Sequence, residues 1–148
     1  MDFMTSLKIG SSGMTAQRKR IDTISTNLAN INTTRTAEGG PYRRQSVVFS
    51  AVHSKDSFGK ALDSALGGDH VREVEVTNTV EDHEEPKMVY QPEHPDADER
   101  GYVAMPNVNL MEEMVDLISA SRSYEANVAT INATKGMLSK AISIGSNR

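Results

Sequence analysis

Apolar residues recur in alternating steps of three and four at both ends of the chain. From Phe3 the series runs through Leu7, Gly10, Met14, Gln17, Ile21, Ile24, Leu28 and Ile31, with only Gly10 and Gln17 out of pattern. From Leu110 it runs through Met114, Leu117, Ser121, Tyr124, Val128, Ile131, Lys135, Leu138 and Ile142, and only Ser121 and Lys135 are polar. Such heptad seams predict helices of coiled-coil type that zip together. The C-terminal helix is expected from Asn109 to Ile144, with Asn109 capping its first turn and Glu112 completing a capping-box-like start. At ~1.5 Å per residue it is roughly 50 Å long, too long for the core helix of a small globule. Its partner of similar length is the N-terminal helix, in an antiparallel or crossed pair that forms a helical base and presents the middle of the chain outward.

The N-terminal helix, expected over Asp2 to Asn30, is a poor one in isolation. Gly10 and Gly13 each cost about 1 kcal/mol relative to Ala, and Thr5, Ser6, Ser11, Ser12, Thr15, Thr23, Ser25 and Thr26 are mediocre helix formers. Small residues at Gly10, Ser11, Gly13 and Ala16 let other helices approach closely, so this segment is expected to gain its order from neighbours. A left-handed Asn30 or Asn32 is the expected helix stop.

Between the helices the pattern changes period. Gly39-Gly40-Pro41 marks a turn. Strands are expected at Arg43 to Val52, Val71 to Val80, Lys87 to Tyr90 and Tyr102 to Ala104, where β-branched and aromatic residues alternate in part with polar ones. Ser54 to Gly68 reads as a short helical or irregular excursion, and Pro92 and Pro95 exclude the stretch around them from a ladder interior. The fold class is therefore α+β, with segments 1–35 (N-terminal helix), 36–106 (small β-rich middle domain) and 107–148 (C-terminal helix packing on 1–35).

Length supports this division, because two long helices leave a chain of 148 residues only a small insert in which to build a separate core. A net charge of −4 and a pI near 5.5 argue against general nucleic-acid binding. Charge is segregated: basic residues dominate up to Arg44, and Asp69 to Glu99 is acidic, a soluble surface or a face for basic residues such as Arg43 and Arg44 of an adjacent subunit. Arg18-Lys19-Arg20 is expected on the face away from the N-terminal seam, as a solvated or channel-side charge cluster or else as a patch that pairs with acidic neighbours. With no cysteine there is neither a disulfide framework nor a Cys-ligated metal. No apolar run approaches the ~20 residues of a membrane span, and no cleavable signal peptide is evident, so no direct membrane insertion is expected.

The residues then converge on a known family. Asn27-Leu28-Ala29-Asn30-Ile31-Asn32-Thr33-Thr34 is similar to the motif near the N-terminus of the bacterial flagellar axial proteins of rod and hook. Arg35-Thr36, Gly39 to Arg44, His94 to Val103, Pro106 to Asn109, Met114-Val115-Asp116 and Ser121 to Asn127 resemble the family's proximal-rod members. Ile31 stands where the family commonly has Ala or Val, a conservative departure. The resemblance implies a structural subunit of the basal-body rod, polymerising through its terminal helices into a hollow shaft that transmits motor torque and lets exported subunits pass. It also implies a rod location in the periplasm, export by the flagellar type III apparatus without signal cleavage, and as partners other copies, other rod proteins, the rod base or export gate and a rod-cap muramidase.

The candidate assembly residues are Leu7, Met14, Ile21, Ile24, Leu28, Ile31, Met114, Leu117, Tyr124, Val128, Ile131, Leu138 and Ile142. The motif residues are Asn27, Ala29, Asn30, Asn32, Thr33 and Thr34. No catalytic, cofactor or metal residue is assigned. His94, Asp96 and Asp98 invite a calcium-loop reading, but Arg100 occupies a ligand position and Asn107 stands where a bidentate Glu is wanted. No nucleophile context and no phosphate loop point to an enzyme. The alternative class is a soluble helical-hairpin adaptor or flagellar export chaperone with the same zippers closed in a dimer.

Overall fold

The computed structural model describes residues 3–53 and 72–146. Its elements are α1 (Phe3–Ala29), β1 (Gln45–His53), β2 (Arg72–Glu81), β3 (Lys87–Tyr90), β4 (Tyr102–Met105) and α2 (Leu110–Ser146), an α+β chain with small antiparallel sheets between terminal helices. The expected helices and strands all appear, each within about two residues of its expected bounds, and the Ser54 to Gly68 excursion lies outside the described residues. The described strands form two separate two-stranded sheets. In the first, Asp82 N–H donates to the Arg44 carbonyl and Ser46 Oγ to the Val80 carbonyl, so β1 and β2 run in opposite directions. In the second, Lys87 faces Met105 and Tyr90 faces Tyr102, whose rings meet edge-on at 5.3 Å.

The chain divides into two compact units. The first joins the start of α1 (up to Arg18), the stretch from Phe49 to Thr77 and α2 from Ser121 onward. Here Gly10 lies against Ile131 and Gly13 against Asn127, so the two helix segments run antiparallel. A Cβ at Gly10 would stand 2.8 Å from Ile131 Cγ1, and one at Gly13 3.0 Å from Asn127 Nδ2. The glycines that weaken α1 as an isolated helix are thus what lets the backbones close. Strand β2 leans on α1 in this unit, with Val74 N–H donating to Ser12 Oγ.

The second unit joins Lys19–Val48 to Asn78–Ala120. Ile24, Val103, Val108 and Ala120 are buried in it, together with Thr23, Asn27 and Glu113. Helix α1 ends without a left-handed residue: among the described residues positive φ is confined to Gly39, Gly40 and Gly101. Asn30 instead donates its side-chain amide to the Thr26 carbonyl while Ile31 N–H turns back to Leu28 O. The last turn is satisfied by a side chain, so no residue has to adopt the strained conformation. At the other helix, Asn109 Oδ1 caps Met111 N–H as expected, and the acid that turns inward is Glu113, not Glu112.

The inward faces share most of the expected seams. Ile24 is buried, and Leu7, Gln17, Leu117, Tyr124, Val128, Ile131 and Leu138 are at least half-buried, but the most buried positions between them are the small or polar Gly10, Asn27, Glu113, Ala120 and Thr134. Met14, Ile21, Leu28 and Ile31 share that intermediate burial, whereas Met114 and Ile142 are 46% and 63% exposed. Close backbone approach requires a small or hydrogen-bonded side chain on at least one helix at the point of contact.

Two helix glycines separate packing from propensity. Gly10→Ala is expected to destabilise the chain, since the overpacking cost of about 1–3 kcal/mol exceeds the ~1 kcal/mol helix gain. Gly136→Ala meets nothing within 4 Å and is expected to stabilise it, by about 1 kcal/mol. Urea unfolding of both variants checks the pair; equal shifts in midpoint would contradict the close approach.

Candidate functional site

Asn27, the first residue of the motif, is the hub of a buried polar knot in the second unit. It is 1% exposed, and each of its amide atoms makes two hydrogen bonds. Its Nδ2 donates to the Gln45 carbonyl at 2.9 Å and to Glu113 Oε2 at 3.0 Å. Its Oδ1 accepts from the Gln45 N–H and from the Tyr42 hydroxyl, both at 2.9 Å. The side chain therefore pairs with the first residue of β1 much as a neighbouring strand would. Removing it would strand several buried polar groups, at about 1–3 kcal/mol each.

Glu113 has no exposure at all and sits in the first turn of α2, where the helix dipole favours a negative charge. Arg44 Nε donates to its Oε1 at 2.5 Å, and Arg44 also faces Asp116 at 3.8 Å. Asp116 in turn accepts from Arg20 at 2.9 Å. Arg20 is thus a bridge between α1 and α2, not part of a solvated cluster, while Arg18 and Lys19 are exposed as expected. Arg44 is likewise committed within its own chain, which removes it from the basic face expected to meet an adjacent subunit.

The pair's electrostatics follow from this geometry. Partial burial works against the Arg44 cation, but the hydrogen bond and charge of Glu113, aided by Asp116 and Asp82, outweigh it and raise its pKa. Burial, then the charges of Glu113 and Glu81, raise the Tyr42 phenol above its ordinary value of 10.0.

The rest of the motif continues the same ties. Asn30 Oδ1 accepts from Thr33 Oγ1, Thr33 O accepts from Tyr42 N–H, and Thr34 Oγ1 donates to Asp96 at 2.7 Å. Ala29 and Asn32 are exposed. Asp98 Oδ1 accepts from the N–H groups of Arg100 and Tyr102, and His94 Nδ1 accepts from Asp96 N–H. The residues that invited a calcium reading are staples of the β3–β4 turn, and no cluster of metal-ligating side chains occurs among the described residues. No helix among them is long and apolar enough to cross a membrane. Sequence reasoning missed Glu113, Arg44 and Asp116, whose signal is an acid pair in the first turns of a helix matched by an arginine at the start of a strand.

Two outcomes test the knot. Arg44→Met should destabilise the chain by about 3–5 kcal/mol, because it strands a buried carboxylate. Adding Glu113→Gln should recover part of that loss, and denaturant unfolding in which the double variant is no more stable than the single would refute the pairing. The raised Tyr42 phenol contributes stability that is complete below pH 10 and is lost as pH rises through its folded value. Absorbance titration at 295 nm should show one tyrosine ionising above the ordinary range, and Tyr42→Phe should abolish that component.

Comparison with known proteins gives this knot a context. A family model described as "Flagella basal body rod protein" matches residues 7–35, which span most of α1 and the motif. A second, described as "Flagellar basal body rod FlgEFG protein C-terminal", matches residues 99–144, covering β4 and nearly all of α2. Among curated relatives, the flagellar basal-body rod protein FlgC of Borreliella burgdorferi is 46% identical over 97% of this chain and 98% of its own. That of Bacillus subtilis is 48% identical over 95% and 96%, and that of Escherichia coli O6:H1 39% over 98% and 99%. With Asn27 and Glu113 each inside a matched segment and relatives aligned along nearly the full length, the chain belongs to the FlgC family of flagellar basal-body rod proteins.

Proposed function

We propose that this rod subunit works as a passive structural element whose terminal helices pack as coiled coils into a helical base and polymerise into a hollow shaft through the periplasm. The observation that carries the reading is the placement of apolar residues on α2. Met111, Val115 and Ile118 are 70%, 67% and 53% exposed, on the side of the helix opposite buried Glu113 and Ala120. A helix apolar on more than one face is built for neighbours on several sides. Subunits repeated by a screw operation use heterologous contacts, which extend into a filament where a two-fold contact would close. The half-buried Leu7, Met14, Ile21, Leu28 and Ile31 of α1 and Leu117, Tyr124, Val128, Ile131 and Leu138 of α2 supply the packing beneath, and exposed Met114 and Ile142 face neighbours.

In this reading the two helices and the motif form the shaft, the segment 36–106 faces outward, and torque passes through interlocked helix contacts without any catalytic step. The proximal position follows from the resemblance of stretches such as Gly39 to Arg44 and His94 to Val103 to the family's proximal-rod members. Neighbouring rod proteins and the rod base or export gate are its partners, with a rod-cap muramidase working on the peptidoglycan outside it. Export by the flagellar type III apparatus without signal cleavage belongs to the same reading.

A closed-dimer adaptor or export chaperone is the competing class, and location separates the two. The subunit is expected in purified hook–basal-body particles, as detected by mass spectrometry. Leu117→Glu or Ile131→Glu should abolish motility through failed rod assembly. Normal swimming in those variants, or a chain confined to the cytoplasm, would refute the reading.

A further inference from the structure

The last turns of α2 carry exposed apolar residues. In the first unit Gly10 faces Ile131 and Gly13 faces Asn127, so facing positions move oppositely along the two helices, and Phe3 comes opposite the Met137–Leu138 turn. Helix α2 continues to Ser146. Ile142 falls one turn beyond Leu138 on the face that carries Tyr124 and Ile131, yet it is 63% exposed, with Ile144 at 76%. Exposed Lys135 lies two turns before Ile142 on the same side. Among the described residues, this end of the helix is an apolar seam edged by a cation.

The opposite end of the same helix offers the complement. Met111, Val115, Glu112, Asp116 and Arg44 line an open depression of about 410 Å³. Met111 and Val115 are its apolar members and Glu112 is an exposed anion beside them; Arg44 and Asp116 are already tied to Glu113 and Arg20. One end therefore presents an exposed isoleucine beside a lysine, and the other an apolar seat beside a glutamate. The two surfaces are different, so their union is heterologous and head-to-tail.

We infer that the tail of α2, through Leu138, Ile142 and Lys135, seats on the Met111–Val115 face of a second copy of this chain, with Lys135 meeting Glu112. The inference rests on the rod-subunit reading and names one occupant for its exposed helix face. Two short helix segments bury less than the ~1,200 Å² of a standard interface, so the contact is transient in the free chain and gains strength from repetition along the tube.

The absence of native cysteine makes the contact directly readable. Chains carrying Val115→Cys and Ile142→Cys are mixed at high concentration under mild oxidation. A disulfide-linked heterodimer that stops at two chains is expected. Reversal by Glu112→Lys on the first chain, or by Lys135→Glu on the second, should cut its yield several-fold, and the two reversals together should restore it. Homodimers of the Val115→Cys chain instead would mean a two-fold contact and would overturn the inference. In basal-body particles from cells making both variants, the same heterodimer is expected. Cross-links there only to a different protein would also overturn it, while the chain's presence in the particles would leave its role as a rod subunit standing.

Discussion

A buried carboxylate that cannot be left alone constrains the second unit. Glu113 is fully enclosed, and an enclosed charge costs several kcal/mol unless it is paired and its lone pairs are filled. Arg44 supplies the charge and Asn27 a further donor, and these come from the strand entrance and from the end of α1. The carboxylate thereby fixes how three segments distant in sequence meet. An apolar residue at position 113 would pack without selecting a rotation of α2. The carboxylate accepts only the rotation that brings it to both donors, and the fourfold use of the Asn27 amide does the same for α1 and β1.

The first unit achieves register by a different means. Gly10 and Gly13 provide no side chains to interdigitate, so Ile131 and Asn127 descend onto the α1 backbone, and van der Waals contact replaces hydrogen bonding as the selector. A one-residue slip would present Ile9 or Ser11 to Ile131 and open a gap or a clash. Both devices place a small or polar residue of α1 at the closest approach.

That arrangement explains what the sequence disclosed and what it hid. The strands were legible because β-branched runs such as Val47-Val48-Phe49 and Val74-Glu75-Val76 alternate with polar residues between Gly and Pro punctuation. The helices were legible from their period, and the Asn27–Thr34 motif from its resemblance. The seams were legible only in part, since a count of apolar positions selects Met114, which is exposed, and passes over Asn27 and Glu113, which are buried. A polar residue inside a heptad is visible as an interruption, but its partner depends on the rotation of the other helix, which pattern alone does not set. Arg20 illustrates the point: in sequence it belongs to a basic triplet, and in the fold it crosses to Asp116. The helix stop at Asn30 was legible as to place and not as to means, because an amide side chain satisfies orphan carbonyls as well as a left-handed backbone does.

The same inversion bears on how a subunit of this kind polymerises without aggregating beforehand. If all the large apolar side chains of α1 and α2 lay in the intramolecular seam, the free chain would be satisfied and little would remain to drive assembly. With polar and small residues specifying the internal fit, Met111, Val115, Ile118, Ile142 and Ile144 remain available on the outside. Each is isolated or in a narrow stripe, flanked by charges such as Glu112, Arg122, Lys135 and Lys140, which discourage nonspecific association because a wrong neighbour must bury an unpaired ion. The correct neighbour supplies the opposite charge along with the apolar seat. Internal register by polar bonds and external adhesion by apolar stripes thus divide between them two tasks, unique folding and extendable association, that a single continuous hydrophobic seam would leave in competition.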